Sequence, residues 1–489
     1  MSTGPYSKDC KLMQKIGWAV RQQPVYCSGV IPVPDDLMLL YFGKGESTRR
    51  VDLGDASLAD LEALSNACEP AAFGLGDQTV MDETYRKAGK LDCDAFATLF
   101  HPGDVGIREI VHNELLGGEK DFTMELYKLN VYGKDAFFKP HQDTPRSEKM
   151  FGSLVIVFPT AHEGGEFVLH EKISSRIIDF SEILLSSKAP VSFVGYIAFF
   201  SDTSHEVRPV KSGHRVTLTY NLYFTDAPEQ NTKPSHTFPS SIQGFLTKYL
   251  RKLTSALGVL PNGGYLVFGL RHKYALKASQ KADTLREYLK GSDDILARAC
   301  DELKLDWAPH VYYQKLVDNM SFVFSDRVIK YDYVEDHELS GPGADAETFV
   351  SEWSTVSAAE DGSLSSTLHP RRWEEYQRKL YPSPSDRETK GVLWRSYQQH
   401  GDRKWHGDTV WVTGPMSDHK IQTHHTAYGN ESTVEYLYGC VCLLVKLKPS
   451  AERGDAVAVG GEGETVAETS AQATTITHPE VMVVDAPSA

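Results

Sequence analysis

The chain is poor in cysteine, in net positive charge and in long apolar runs, and each shortage removes a class of explanation. Its seven cysteines (Cys10, Cys27, Cys68, Cys93, Cys300, Cys440 and Cys442) are odd in number, scattered over 489 residues and without a CxxC pair. That is the pattern of reduced thiols, not of a disulfide framework or a cysteine-rich zinc site. Lysine and arginine number 51 against 66 acids, for a formal charge of −15. Sequence-independent binding to nucleic acid or to an anionic membrane needs a basic face, so neither is expected. The longest apolar candidate, residues 440–445, falls far short of a membrane span. The first ten residues carry no apolar signal core. A protein of the cytoplasm or nucleus is the expectation. There is no Walker loop and no His-Glu-x-x-His helix.

What is present concentrates in residues 127–223. Two short pieces stand out there: Pro140-His141-Gln142-Asp143-Thr144, and Ser204-His205-Glu206 followed by Gly213-His214-Arg215-Val216-Thr217. On a β-strand, residues i and i+2 share a face, so His141 and Asp143 can reach one point and His205 can complete a triangle. Two imidazoles and one carboxylate occupy one face of an octahedral ion. They leave neighbouring positions open for a chelating co-substrate and dioxygen, the chemistry of non-haem Fe(II) oxygenases. Arg215 lies ten residues beyond His205, past a Lys211-Ser212-Gly213 turn. On the strand that follows, Arg215, Thr217, Thr219 and Asn221 alternate with Val216, Leu218, Tyr220 and Leu222, so the polar set faces inward with the metal. A buried guanidinium is a fork-shaped partner for a carboxylate and would hold the distal acid of a small dicarboxylate whose other end chelates iron.

Tyr132-(x8)-His141-x-Asp143, Gly164-Gly165-Glu166-Phe167, Phe199-Phe200-Ser201-Asp202 with His205-Glu206-Val207, and Ser212-Gly213-His214-Arg215 together resemble the 2-oxoglutarate and Fe(II)-dependent dioxygenases of the prolyl 4-hydroxylase type, in a two-domain form like that of fungal members. The resemblance covers roughly a hundred residues. It implies a double-stranded β-helix, or jelly-roll, with iron on His141, Asp143 and His205, 2-oxoglutarate on Arg215, a hydrogen bond from Tyr132 to that co-substrate, and ascorbate as reductant. Collagen-type members carry lysine where this chain has Arg215, which loosens any link to a collagen-like substrate. Thr217 reads equally as a further hydrogen-bonding group or as a packed barrel threonine. Gly164-Gly165 reads as a hairpin turn with positive φ. Arg146 and Lys149 read as a solvated loop or as groups facing incoming substrate. Two further His-x-Asp pairs, His400/Asp402 and His406/Asp408, are followed by His419, His424 and His425 at gaps far shorter than the 62 residues from Asp143 to His205, too short to cross a barrel and return.

The fold class expected is α+β, mainly β: a jelly-roll catalytic barrel with flanking helices, plus a second α+β domain, a degenerate barrel being one form open to it. Its length calls for two domains. Residues 1–120 read as a mixed support segment packed on the barrel, with helices over 58–68 and 107–116; residues 121–226 as the dioxygenase core; 227–241, rich in proline and polar residues, as a linker; and 242–448 as the second domain, with a long surface loop at 341–366. From about 449 onward there is no Phe, Tyr, Trp or Leu and there are seven acids against Arg453 alone, the composition of a disordered acidic tail. The function expected is hydroxylation of a C–H bond with consumption of dioxygen and 2-oxoglutarate and release of succinate and CO2. A peptidyl proline is the nearest substrate, and another protein, peptide or small molecule stays open. The alternative is a binding or sensor protein that recruits partners through the second domain.

Overall fold

The computed structural model describes residues 6–43, 45–75, 78–171, 175–181, 184, 192–225, 241–277, 280–314, 322–325, 408–413, 437–439 and 441–453. The elements that matter here are, in chain order, α1 (Tyr6–Arg21), β1 (Tyr26–Val33), α2 (Leu58–Ala67), β2 (Gly89–Asp92), α3 (Ile107–Glu114), β3 (Phe122–Tyr132), β4 (Phe137–His141), β5 (Met150–Val157), β6 (Phe167–His170), β7 (Ser175–Ile178), β8 (Ser192–Phe200), β9 (Ser204–Val207) and β10 (Arg215–Phe224). After these come α4 (Ser241–Ser255), β11 (Gly264–Gly269), α5 (Gly291–Glu302), β12 (Asp306–Gln314), β13 (Phe322–Ser325), β14 (Asp408–Thr413), β15 (Val441–Leu447) and α6 (Ser450–Arg453).

The first unit is built on two large antiparallel sheets, with minor sheets of two and three strands beside them. The larger runs β1-β8-β5-β10-β3-β2, with Glu69–Pro70 at its edge; the smaller runs β7-β6-β9-β4, with Arg86–Lys87 at its edge. Strand alternation divides the apolar side chains of the larger sheet between two cores. Val155, Val157, Ile197 and Phe199 pack with Phe138, Phe167, Leu169 and Val207 of the smaller sheet. Leu154, Ile156, Ala198, Phe200, Val216 and Leu218 pack on the opposite face with Leu61 and Leu64 of α2 and Ile107 and Val111 of α3. Because β5 is buried on both faces, it reads Met-Phe-Gly-Ser-Leu-Val-Ile-Val without polar alternation. Each large apolar side chain buried this way contributes about 1.5–3 kcal/mol. The helix α2 starts cleanly because Ser57 and Asp60 bond each other's backbone N–H groups reciprocally.

The second unit has a mixed sheet ordered β13-β12-β15-β11-β14, in which β11 and β14 are parallel and the other pairs antiparallel. A separate two-stranded pair joins Tyr274–Leu276 to Leu437–Gly439. Any further strand needed to close a degenerate barrel lies outside the described residues, as do the loop at 341–366 and the His-x-Asp pair at 400 and 402. The linker lies outside them too, except for Ser241, which begins α4.

Two boundaries move. The N-terminal segment does not pack on the barrel as one piece: Met13, Ile16, Ala19 and Val20 of α1 share a core with Leu246, Leu250 and Leu253 of α4 and Leu296 and Ala299 of α5. These positions form a helical stripe whose partner is the matching stripe of α4, and a stripe alone does not say which core it joins. The stretch from 449 does not begin as a disordered tail, because α6 is folded; residues 454–489 lie outside the described residues. Arg453 of α6 donates from Nη1 to the carbonyls of Thr254 (3.0 Å) and Ala256 (3.4 Å) and from Nη2 to those of Val259 (2.6 Å) and Leu260 (2.8 Å). Thr254 is in the last turn of α4 and the other three carbonyls follow it, so the guanidinium ties the end of the helix to the turn after it, where a cation is favoured. Polar contacts also join the two units. Lys120 reaches Asp294 (2.9 Å), Arg298 reaches Glu119 (3.0 Å), and Lys290 reaches Asp202 (2.7 Å). Burial opposes the charge on Asp202, yet Lys290 and His272 beside it hold its carboxyl far below the usual carboxylate range.

Candidate metal centre and co-substrate cleft

His141 is the last residue of β4 and His205 lies on β9, the neighbouring strand, where the two are directly paired. Asp143 follows two residues after His141, its backbone N–H held by the Ser201 carbonyl at 3.2 Å. The potential ligand atoms of these three residues all lie within 4.8 Å of one another. His205 Nε2 is 3.8 Å from Asp143 Oδ1.

Each imidazole is aimed by the backbone carbonyl two residues before it. His141 Nδ1 donates to the Lys139 carbonyl (2.8 Å) and His205 Nδ1 to the Thr203 carbonyl (3.0 Å). A carbonyl can only accept, so in both rings Nδ1 is the donor and Nε2 is the nitrogen left for a metal. Burial, reinforced by His205, holds His141 well below the ordinary imidazole range, which keeps it neutral. Phe138 stacks on His141 at 3.5 Å between ring centres, and Phe167 stacks on His205 at 5.3 Å. Ser153 Oγ donates to Asp143 Oδ2 at 2.5 Å, leaving Oδ1 toward the histidines. Two imidazoles aimed by Nδ1 bonds and a carboxylate with one oxygen occupied fit a divalent first-row ion with open coordination positions.

The triad opens into a cleft of about 680 Å3, counting its mouth, and the same cleft is lined by Arg215, Tyr132 and Thr217. The structure therefore brings together all six residues singled out in the sequence. Arg215, Thr217, Thr219 and Asn221 line the cleft, while Val216, Leu218, Tyr220 and Leu222 lie in the core behind. Arg215 is 2% exposed, and its Nη2 has no hydrogen-bond partner among the described residues. Burial pushes its pKa down to about 10, which still leaves it charged at neutral pH. Tyr132 is paired with it across the sheet, its ring 5.6 Å from the guanidinium carbon. Among the described residues Thr217 Oγ1 makes only a long contact, 3.5 Å, to the Asn130 carbonyl. Gly164 and Gly165 both have positive φ, 73° and 72°. A Cβ on Gly165 would lie 2.9 Å from both Arg215 Cδ and Val210 Cγ2, so the turn also makes room for the buried arginine.

The cleft has further lining groups that the sequence reading did not single out. Strict alternation would turn Tyr127 away from Lys128, Asn130 and Tyr132, yet all four line the cleft. The reason is a bulge between Leu126 and Lys128 that makes Tyr127 an extra residue. Arg146 also lines the cleft, donating to the Tyr127 hydroxyl at 2.6 Å; Lys149 is not among the lining residues. Arg86, from the two-residue edge strand, bonds the Asn130 side chain (3.1 Å) and lies over the Phe138 ring. No sequence signal marks it. Ser153 did carry one: a lone hydroxyl in a wholly apolar strand.

Residues 127–223 match the model of the 2OG-Fe(II) oxygenase superfamily. Over this segment, about a fifth of the chain, the protein is similar to the oxygenase domain of that superfamily. The superfamily's cofactor and co-substrate are Fe(II) and 2-oxoglutarate, and the His-Asp-His set of the domain fits the iron. Among solved structures, a prolyl-4-hydroxylase from Pseudomonas putida is similar to the chain at 17% identity, over 43% of this chain and 99% of its own, with a TM-score of 0.26. A prolyl hydroxylase from Trichoplax adhaerens, solved with a hypoxia inducible factor oxygen degradation domain peptide fragment, is similar at 16% identity, over 46% of this chain and 94% of its own, with a TM-score of 0.26. No curated protein matches the chain. The two facing antiparallel sheets of the oxygenase domain are those of a jelly-roll.

Proposed function

We propose that the protein hydroxylates a C–H bond of a peptide or protein, a peptidyl proline being the first substrate to test, using dioxygen and 2-oxoglutarate and releasing succinate and CO2. The observation that carries this reading is the meeting in one cleft of three oriented metal-ligand atoms and a buried guanidinium with an unpartnered donor. His141 and His205 hold iron through Nε2 while their Nδ1 protons stay on backbone carbonyls. Asp143 offers Oδ1 while Ser153 keeps the other oxygen occupied. Arg215 takes the distal carboxylate of 2-oxoglutarate through its fork, with Tyr132 and Thr217 alongside. Phe138, Val155, Phe167, Phe199 and Val207 wall the cleft and keep water from the reacting atoms. Iron(II), when bound, supplies the coupling of dioxygen reduction and 2-oxoglutarate decarboxylation to oxidation of the C–H bond. Substrate enters beside Tyr127, Lys128 and Arg146, at the end of the cleft away from Arg215, and ascorbate serves as reductant.

The test is succinate release from 2-oxoglutarate by purified full-length protein with Fe(II) and ascorbate, followed by mass spectrometry of a treated lysate for peptides gaining one oxygen atom. His141→Ala and Asp143→Ala should remove turnover without loss of soluble expression. Wild-type turnover in either variant would refute the ligand assignment. Iron binding without turnover on any lysate would favour the sensor protein.

A further inference from the structure

We infer that Asp202 is a positioning residue for the metal centre, and that the second unit, through Lys290, His272 and Lys273, sets the geometry of the ligands by holding the turn on which Asp202 sits. The inference rests on the reading of His141, Asp143 and His205 as metal ligands.

The turn joins β8 to β9, and three successive carbonyls on it reach the ligand-bearing segments. Ser201 accepts the Asp143 N–H at 3.2 Å, Asp202 accepts Gln142 Nε2 at 2.5 Å, and Thr203 accepts His205 Nδ1 at 3.0 Å. A shift of this turn would move both sides of the triad. The Asp202 side chain, 8% exposed, points the other way, into the second unit. There it accepts from Lys290 Nζ (2.7 Å), the Lys273 N–H (2.9 Å) and His272 Nδ1 (3.3 Å). Lys273 Nζ also reaches Gln142 Oε1 at 3.1 Å. Gln142, which stands between His141 and Asp143 in the chain, is thus gripped at both ends of its amide, once from the turn and once from the second unit.

The donors that meet Asp202 are themselves fixed. Asp293, wholly buried, accepts the N–H groups of Arg271 and His272 (both 2.9 Å) and the Tyr274 hydroxyl (2.8 Å). Gly291 has a φ of 54°, and a Cβ on it would lie 2.7 Å from His272 Nε2, so the segment that carries Lys290 approaches the His272 ring closely. A buried ion pair contributes little net stability beside apolar residues of the same volume, whereas several converging donors on one carboxylate define its position closely. The effect of this cluster therefore falls on geometry, and the geometry it governs is that of the iron ligands.

The test uses metal-free, full-length wild type and the double variant Asp202→Asn/Lys290→Met, which removes both charges together so that neither is left buried alone. Each is titrated with Co(II), followed by its d–d absorption, and each is melted thermally. Wild type should bind one equivalent. The double variant should melt close to wild type but bind Co(II) about ten-fold more weakly, with an altered d–d spectrum. Unchanged affinity and spectrum in the folded double variant would overturn the inference. Should that variant not fold, Lys273→Met, which breaks the Gln142 contact and leaves both charges of the Asp202–Lys290 pair in place, decides on the same two readouts: weaker binding with an altered spectrum supports it, and wild-type values overturn it. Failure of wild type itself to bind Co(II) would instead overturn the metal-centre reading, and this inference with it.

Discussion

Arg215→Lys separates charge from shape at the floor of the cleft. Arginine there is 2% exposed, remains charged at neutral pH, and holds an Nη2 donor with no partner among the described residues. A carboxylate in front of it would receive two parallel N–H bonds. Lysine keeps one positive charge on a shorter, differently aimed stem and loses one of those bonds, at about 1.5–3 kcal/mol. That corresponds to a Kd for 2-oxoglutarate weaker by about ten- to a hundred-fold. Calorimetric titration of 2-oxoglutarate into Mn(II)-loaded wild type and variant measures it, with a parallel Mn(II) titration as control. Mn(II) affinity should hardly move, because no ligand atom has changed. Equal 2-oxoglutarate affinity in the two proteins would take Arg215 out of the site. A matching loss of Mn(II) affinity would show that the substitution had disturbed the sheets and not the co-substrate grip.

Gly165→Ala places a methyl group at a φ of 72° and against Arg215 Cδ; with a backbone strain of about 1–2 kcal/mol, it should lower the melting temperature and weaken 2-oxoglutarate binding while leaving Mn(II) binding intact, as the same two titrations would report. Burial depresses the folded-state pKa of His141 and His162 below the ordinary 6.5. The unfolded chain therefore takes up these protons first, so in metal-free protein this stability is complete above about pH 6.5 and is lost progressively as pH falls below it; a melting temperature that rises on acidification from pH 7 to 5 would contradict the assignment. Removing residues 454–489, which lack Phe, Tyr, Trp and Leu, should leave the melting temperature unchanged, whereas Arg453→Ala should lower stability by about 1–3 kcal/mol through loss of its bonds to α4 and the turn after it. Equal melting temperatures for the two changes would show that those bonds are not formed in solution.

The strand β10 was legible in the sequence because its two faces meet different surroundings: alternation of Arg, Thr, Thr and Asn with Val, Leu, Tyr and Leu can satisfy only one register. The triad was legible because His-x-Asp spacing on a strand carries its own geometry. Tyr127 was not, since a bulge adds a residue without any compositional mark. Arg86 was not either, because its place depends on a two-residue edge strand recruited from outside the oxygenase segment. The helix α1 was not read from the sequence, and its destination is set by shape matching with α4, which lies over two hundred positions away. Gly164-Gly165 was readable as a turn from its residue type alone, while the room it gives Arg215 emerges only when the two segments meet. The link from Asp202 to Lys290 was hidden for the same reason: two charges 88 positions apart attract no notice until the fold brings them within 2.7 Å.

Each candidate histidine ligand is locked by the carbonyl two residues before it in the chain, so the rings stand in their metal-binding pose before any ion arrives. A site prepared in this way forfeits little conformational entropy on loading, and it takes on the ordinary affinity ranking of divalent ions, in which nickel, copper and zinc all outrank iron. Which ion the protein carries is then decided by supply at the moment of folding or purification. Protein prepared in rich medium or over a nickel resin will hold a mixture of ions, and its activity per molecule will measure its metal history until it has been stripped and reloaded with ferrous iron under exclusion of air.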